Sequence, residues 1–106
     1  MSTNDEQVVV TNNEGAQRYE VKVDEQRAVL TYERRGDHIT YLHTGVPPAL
    51  EGHGIASKLA HFALEEARAQ HLHVVPACPF VAAYIRRHPE YLSLLTASEQ
   101  ARLQQD

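Results

Sequence analysis

The stretch Val46-Pro47-Pro48-Ala49-Leu50-Glu51-Gly52-His53-Gly54-Ile55-Ala56-Ser57-Lys58 decides the reading, because the backbone has to change character inside it. Proline has no amide N–H to give to a sheet, so Pro47-Pro48 ends any strand that arrives at Val46. From Gly54 onward Ile55, Leu59, Phe62, Ala63 and Ala67 recur at helical spacing, with Lys58, His61, Glu65 and Arg68 on the other face. The spacing predicts an amphipathic helix from Gly54 to about Gln70. Gly52 and Gly54 lack a Cβ, so the chain turns sharply there and a ligand can come close to the backbone. The first N–H groups of the helix have no intrahelical partner and lie at the positive end of its dipole. Together these features make an anion site suited to a pyrophosphate. On spacing alone, a tight loop entering a helix with no ligand accounts for the glycines equally well.

Upstream, Tyr19-Glu20-Val21-Lys22-Val23 alternates apolar with polar, as a half-buried strand does. A turn at Asp24-Glu25-Gln26 separates it from residues 27–33, and Arg35-Gly36-Asp37 separates these from residues 38–46. Both segments are rich in β-branched and aromatic residues, so three antiparallel strands in a meander are expected. Val8-Val9-Val10 reads as an added short edge strand, closed by a turn at Asn12-Asn13-Glu14-Gly15. Downstream, Leu72-His73-Val74-Val75-Pro76 is too short for a helix and suits a strand returning beside the third one. Strand, helix and strand in that order form a crossover, which makes the last two strands parallel. Pro79 opens a short helix that runs through Arg87 and is stopped by Pro89. Thr96 or Ser98 caps a last turn or two through Leu103, and residues 104–106 fray. The fold class is α+β: antiparallel strands, then a crossover helix, a parallel strand and a short helix.

A chain of 106 residues is expected to form one domain, residues 1–106, with a core from about 8 to 95 and flexible termini. Apolar residues at 42% and charged residues at 23% place it among ordinary globular chains and away from disordered or membrane compositions. The net charge of -4 offers no broad basic field, so nucleic acid is not an expected partner. No apolar run approaches a membrane span, and the start Met1-Ser2-Thr3-Asn4-Asp5-Glu6 does not resemble a signal peptide, so a cytoplasmic location is expected. Neither oligomeric state nor partner is written in the chain; a monomer or weak dimer is expected. The lone Cys78 cannot form an intramolecular disulfide. His71 and His73 have no cysteine or acidic cluster at ligand spacing, so no metal site is expected.

Several ordered motifs surround the glycine loop: His43-Thr44-Gly45-Val46-Pro47, Gly52-His53-Gly54-Ile55-Ala56, Pro76-Ala77-Cys78-Pro79, Tyr84, and His88-Pro89-Glu90-Tyr91. In this order and spacing they resemble the GNAT superfamily of N-acetyltransferases, over about Arg18 to Tyr91. The resemblance is closest to the small YjdJ-type subgroup, which lacks the acceptor-covering first helices of larger relatives. It implies a minimal GNAT-like fold and binding of acetyl-coenzyme A (acetyl-CoA). The pyrophosphate would lie on Gly52, His53, Gly54, Ile55, Ala56, Ser57 and Lys58, and the Val46 N–H would meet the thioester carbonyl. It also implies transfer of acetyl to a primary amine, such as a protein N-terminus, a lysine or a small amine, through a shallow, open site. The family loop begins with Gln or Arg where this chain has Glu51, which shifts the expected contacts to the backbone. Ala77 and His88-Pro89 also depart from the family pattern around its thiolate-protonating tyrosine, for which Tyr84 is the match. These departures support a second reading, a non-catalytic acyl-CoA-binding module; a small interaction domain with an empty loop is a third.

Acetyl transfer needs a neutral amine, donors for the developing oxyanion and a proton for the leaving thiolate. An imidazole titrates near pH 6.5, which makes His43 the first choice for a base. Cys78 lies where a helix N-terminus favours thiolate, so it has two readings: a nucleophile paired with His43 in a ping-pong route, or a small buried apolar residue. Tyr84 is either the proton donor or a packed aromatic. Lys58 can offset charge at the pyrophosphate, and Arg86 or Arg87 can meet the CoA 3′-phosphate; a solvated surface role is open for each.

Overall fold

The computed structural model describes residues 8–105. The polar start at residues 1–6 and the final Asp106 lie outside the described residues. Five strands, β1 (Val10–Asn13), β2 (Arg18–Val23), β3 (Gln26–Arg35), β4 (His38–Gly45) and β5 (His73–Pro76), form one sheet in sequential order. All neighbours are antiparallel except β4 and β5, which are parallel. The connection between those two carries α1 (Ile55–Ala69), and α2 (Pro79–Arg87) and α3 (Ala97–Gln105) follow β5. The expected meander and crossover are therefore both present, in a mixed α+β fold.

The amphipathic stripe of α1 buries Ile55, Leu59, Ala60, Ala63, Leu64 and Ala67. It lies over β2 and β3, against Tyr19, Val21, Ala28 and Leu30. Each full-sized aliphatic in this layer stabilises the fold by about 1.5–3 kcal/mol, so Leu59→Ala is among the changes that would cost most. Phe62 departs from the expected stripe: it is 36% exposed and stands edge-on to Tyr19, with ring centroids 5.8 Å apart. The buried Tyr41 hydroxyl donates to the Ala63 carbonyl at 2.8 Å, which pins α1 above β4.

Two expectations need correction. The first strand begins at Val10, so Asn12 and Asn13 belong to it, and the turn comes later, at Glu14–Ala16. Long-range bonding overrides the turn propensity of Asn12, whose Nδ2 donates to Glu66 Oε1 at 2.9 Å and whose Oδ1 accepts from Tyr32 at 2.7 Å, whereas Asn13 Oδ1 accepts from the Ala16 N–H at 3.2 Å and caps the turn as expected. At the other end, α3 runs to Gln105, and Leu103 is buried in the core beyond the expected limit near residue 95. Thr96 caps this helix by accepting from the Glu99 N–H at 3.3 Å.

Candidate functional site

The β3–β4 ladder slips between Thr31 and Tyr32: Tyr32 pairs with Tyr41, whereas Thr31 pairs with His43. Leu42 is the extra residue, a β-bulge on β4. Because successive side chains alternate between faces, this single insertion reverses every later position of the strand. Ile39 and Tyr41 face the core, and beyond the bulge that face is taken by Thr44, which pairs with buried Leu30. His43 and Gly45 instead pair with Thr31 and Val29 and face the opposite side. His43 Nε2 lies 3.2 Å from where a Gly45 Cβ would stand, so the ring rests over a residue without a side chain.

Pairing of β4 with β5 ends at Tyr41 and Pro76, and the Cys78 N–H then bonds to the Tyr41 carbonyl at 2.8 Å. Past that point the two chains diverge, leaving the β4 edge from Leu42 onward unpaired on its β5 side. Cys78 sits at the root of the divergence as the N-cap of α2; it is 2% exposed, with Sγ 3.3 Å from Thr44 Oγ1. His43 and Cys78, which a ping-pong route would need side by side, therefore lie on opposite faces of the sheet.

The loop between β4 and α1 behaves as its glycines require. Gly52 and Gly54 take positive φ values of 88° and 71°, and a Cβ at either would meet nothing within 4 Å. Gly54 is the N-cap of α1, no side chain caps the helix, and its first turn holds no acidic residue. The leading N–H groups thus lack a side-chain cap and no first-turn carboxylate offsets the dipole, which fits a phosphate group.

Two cavities open on this helix end and share Gly54 and Ser57. The narrow one, about 260 Å³, is lined by Val46, Gly52, Ile55 and Ala56 among the expected residues, with Glu51 and Phe80 beside them. The wide one, about 670 Å³, is lined by His53, Lys58, His61, Phe62 and Tyr84. Tyr84 is 6% exposed, and its ring stacks on His88 with centroids 4.2 Å apart. Burial raises its pKa above the ordinary phenol value, followed by the carboxylate of Glu90, so it stays protonated at neutral pH. Val46 lines the narrow cavity and Tyr84 the wide one, and the two cavities adjoin at Gly54 and Ser57. Arg87, in the last turn of α2, lines neither cavity. Arg86 turns toward α3 and donates from Nε to the Leu103 carbonyl at 3.1 Å.

Sequence reasoning passed over His61 and Phe62, assigning both to ordinary helix faces. Their role at a cavity depends on Tyr91, thirty positions along from His61: its hydroxyl lies 3.2 Å from His61 Nδ1 and donates to Glu65 Oε2 at 2.5 Å. Tyr91 is thus a donor to Glu65, and the His61 contact calls for a proton on Nδ1. The bond from Tyr91 holds the Glu65 carboxyl below the usual carboxylate range, with Arg68 also lowering it.

Comparison with known proteins gives consistent results. Residues 18–94 match the family model described as GCN5-related N-acetyl-transferase. The chain is 40% identical over 72 residues to Protein NATD1 of Mus musculus, covering 65% of this chain and 66% of that protein. Protein NATD1 of Homo sapiens is likewise 40% identical over 72 residues, with 64% of its length covered. The match thus spans slightly less than two thirds of these relatives' length. A solution NMR structure of a GCN5-like protein from Staphylococcus aureus superposes with a TM-score of 0.66 at 24% identity, over 85% of this chain and 89% of that one, which shows a shared fold.

Proposed function

Because the chain belongs to the GCN5-related N-acetyltransferase family, we propose that it transfers the acetyl group of acetyl-CoA to a primary amine. The observation that carries this reading is the uncapped N-terminus of α1 behind Gly52 and Gly54, set beside the unpaired edge of β4. The N–H groups of residues 55–57 hold the pyrophosphate by charge-assisted bonds. Glu51 lines the narrow cavity but is exposed, so its repulsion is limited to about 1 kcal/mol. The pantetheine arm follows the narrow cavity past Val46 and Phe80 to the open edge of β4, where its amides add to the strand as a further strand would. The Val46 N–H serves as a donor to the carbonyl oxygen of the thioester as it gains charge.

The core face of the edge is closed by Thr44 and Cys78, so the amine arrives from the other face, where His43 is exposed. His43 takes a proton from the amine nitrogen; the nitrogen forms its bond to the carbonyl carbon, and the carbon–sulfur bond breaks. That proton balances on the departing sulfur, carried by His43 or water. Transfer is direct, since Cys78 is buried against Thr44 and faces away from His43. Tyr84, expected to protonate the thiolate, opens on the adjoining wide cavity; in this route the proton reaches the sulfur through His43 or water.

Departures at Glu51 and Ala77 favour the second reading, a non-catalytic acyl-CoA-binding module. One assay separates them: release of free CoA thiol with a panel of amines, including peptide N-termini, lysine and polyamines. Amine-dependent release supports the transferase. Tight acetyl-CoA binding without release under any amine would leave the binding module standing in its place.

A further inference from the structure

The strand register sets which side chains share a face with His43. On β2, Arg18, Glu20 and Lys22 alternate with the core residues Tyr19 and Val21; on β3, Arg27, Val29, Thr31 and Glu33 alternate with Ala28, Leu30 and Tyr32. Thr31 pairs with His43 and Val29 with Gly45, so these residues lie on the face where His43 is exposed. Much of the charge on this face is cancelled within it. Arg18 Nε donates to Glu20, which also accepts from Asn13 Nδ2 at 3.1 Å, and Arg35 lies 3.2 Å from Glu33. Lys22 and Arg27 are left over. They stand directly opposite each other on β2 and β3, both are exposed, and among the described residues neither forms a salt bridge or hydrogen bond, with Asp24 and Glu25 of the intervening turn included. We propose that the acceptor is the N-terminal amine of an acidic peptide whose carboxylates are met by the Lys22–Arg27 pair. This rests on the acetyl-transfer reading above and narrows it to one class of amine.

Two observations carry the assignment. The first is the pair itself: like charges directly opposite each other on neighbouring strands destabilise a sheet, and a chain of net charge -4 nevertheless sets no carboxylate against them. An anionic partner converts that cost into affinity. The second is distance. Arg27 lies two residues along β3 from Val29, which pairs with Gly45, the residue beneath the His43 ring. Two residues along a strand and one strand across put Arg27 about 8 Å from Gly45 between Cα atoms. An extended peptide rises about 3.4 Å per residue, so an amine at His43 brings its second or third side chain over Arg27 and Lys22. Arginine takes a carboxylate through two parallel N–H bonds, and lysine adds a point charge. The acid–base chemistry of the amine agrees. An α-amine titrates at about 7.7–8.0 and a lysine at about 10.4, so near neutral pH the α-amine is by far the more available as the neutral nucleophile.

Initial rates of acetyl transfer by the full chain to two peptides, identical except for glutamate or glutamine at their second and third positions, test the proposal. Wild type is expected to show a kcat/KM about fivefold higher for the glutamate peptide at low salt, as two exposed charge pairs give, and the preference should fade toward about 1 M salt. The double variant Lys22→Gln, Arg27→Gln is expected to treat the two peptides alike while keeping the wild-type rate on the glutamine peptide. Lys22→Glu combined with Arg27→Glu is expected to favour a peptide with lysine at those positions instead. A peptide with a blocked N-terminus and a single lysine is expected to react at least about tenfold more slowly than its free counterpart. Equal kcat/KM of wild type for the glutamate and glutamine peptides, an equal loss on both in the double glutamine variant, or faster reaction of the blocked lysine peptide would overturn this assignment alone. Binding of acetyl-CoA without transfer to any peptide or small amine would overturn the acetyl-transfer reading together with it.

Discussion

Thr44 Oγ1 and Cys78 Sγ lie 3.3 Å apart on the core side of the sheet, while His43, one residue earlier, faces the other side. That contact closes one approach to the β4 edge and leaves the other open. It also separates the thiol from the base that a covalent route would need. Cys78→Ala is therefore expected to keep acetyl transfer within about threefold of wild type, with intersecting double-reciprocal lines in initial-rate kinetics. Parallel lines for wild type, with a loss of about a hundredfold in the variant, would restore the ping-pong route.

His43→Gln is expected to lower kcat by about 10²–10⁴-fold. Acetyl-CoA affinity should be unchanged, since His43 lines neither cavity. A variant of full activity would move the base elsewhere.

Gly54 has a φ of 71°, and a Cβ there would meet no neighbouring atom. Gly54→Ala therefore strains only the backbone, by about 1–2 kcal/mol, readable as a lower denaturation midpoint. The added methyl also stands where the phosphate approaches, so acetyl-CoA affinity is expected to fall by at least about tenfold. Stability loss with undiminished affinity would place the ligand somewhere else.

The Tyr91–Glu65 bond has a predictable dependence on pH. Glu65 titrates lower in the folded chain than its ordinary value of 4.5 because Tyr91 donates to its ionised form. A depressed carboxyl contributes stability that is present above the unfolded pKa and is lost as pH falls through the folded one. The melting-temperature gap between wild type and Tyr91→Phe should therefore be constant above about pH 5 and narrow below it. A gap that stays constant down to pH 3 would show that the bond contributes nothing through ionisation.

Much of this was legible in the chain. The alternation of Tyr19 to Val23, the proline stop after Val46 and the apolar spacing from Ile55 each reflect local rules that the fold obeys. Leu42 shows where legibility ends. Read as unbroken alternation, residues 39–44 put His43 on the face of Ile39 and Tyr41, toward Cys78; the bulge reverses this, and no local residue announces it. Asn12 reads as a turn residue because its bonds to Glu66 and Tyr32 come from distant partners, while Asn13 does cap the turn that follows. His61 looked like surface because Tyr91, which fixes it, is brought beside it only by the packing of α1 against the segment after α2.

An amide-resolved NMR titration with acetyl-CoA tests the central claim most directly. The account predicts saturable shifts concentrated in the N–H groups of residues 53–58 and of Thr44 to Val46, with the far end of α1 unaffected. No saturable shift at millimolar acetyl-CoA, or shifts confined to residues away from the α1 N-terminus and the β4 edge, would contradict it.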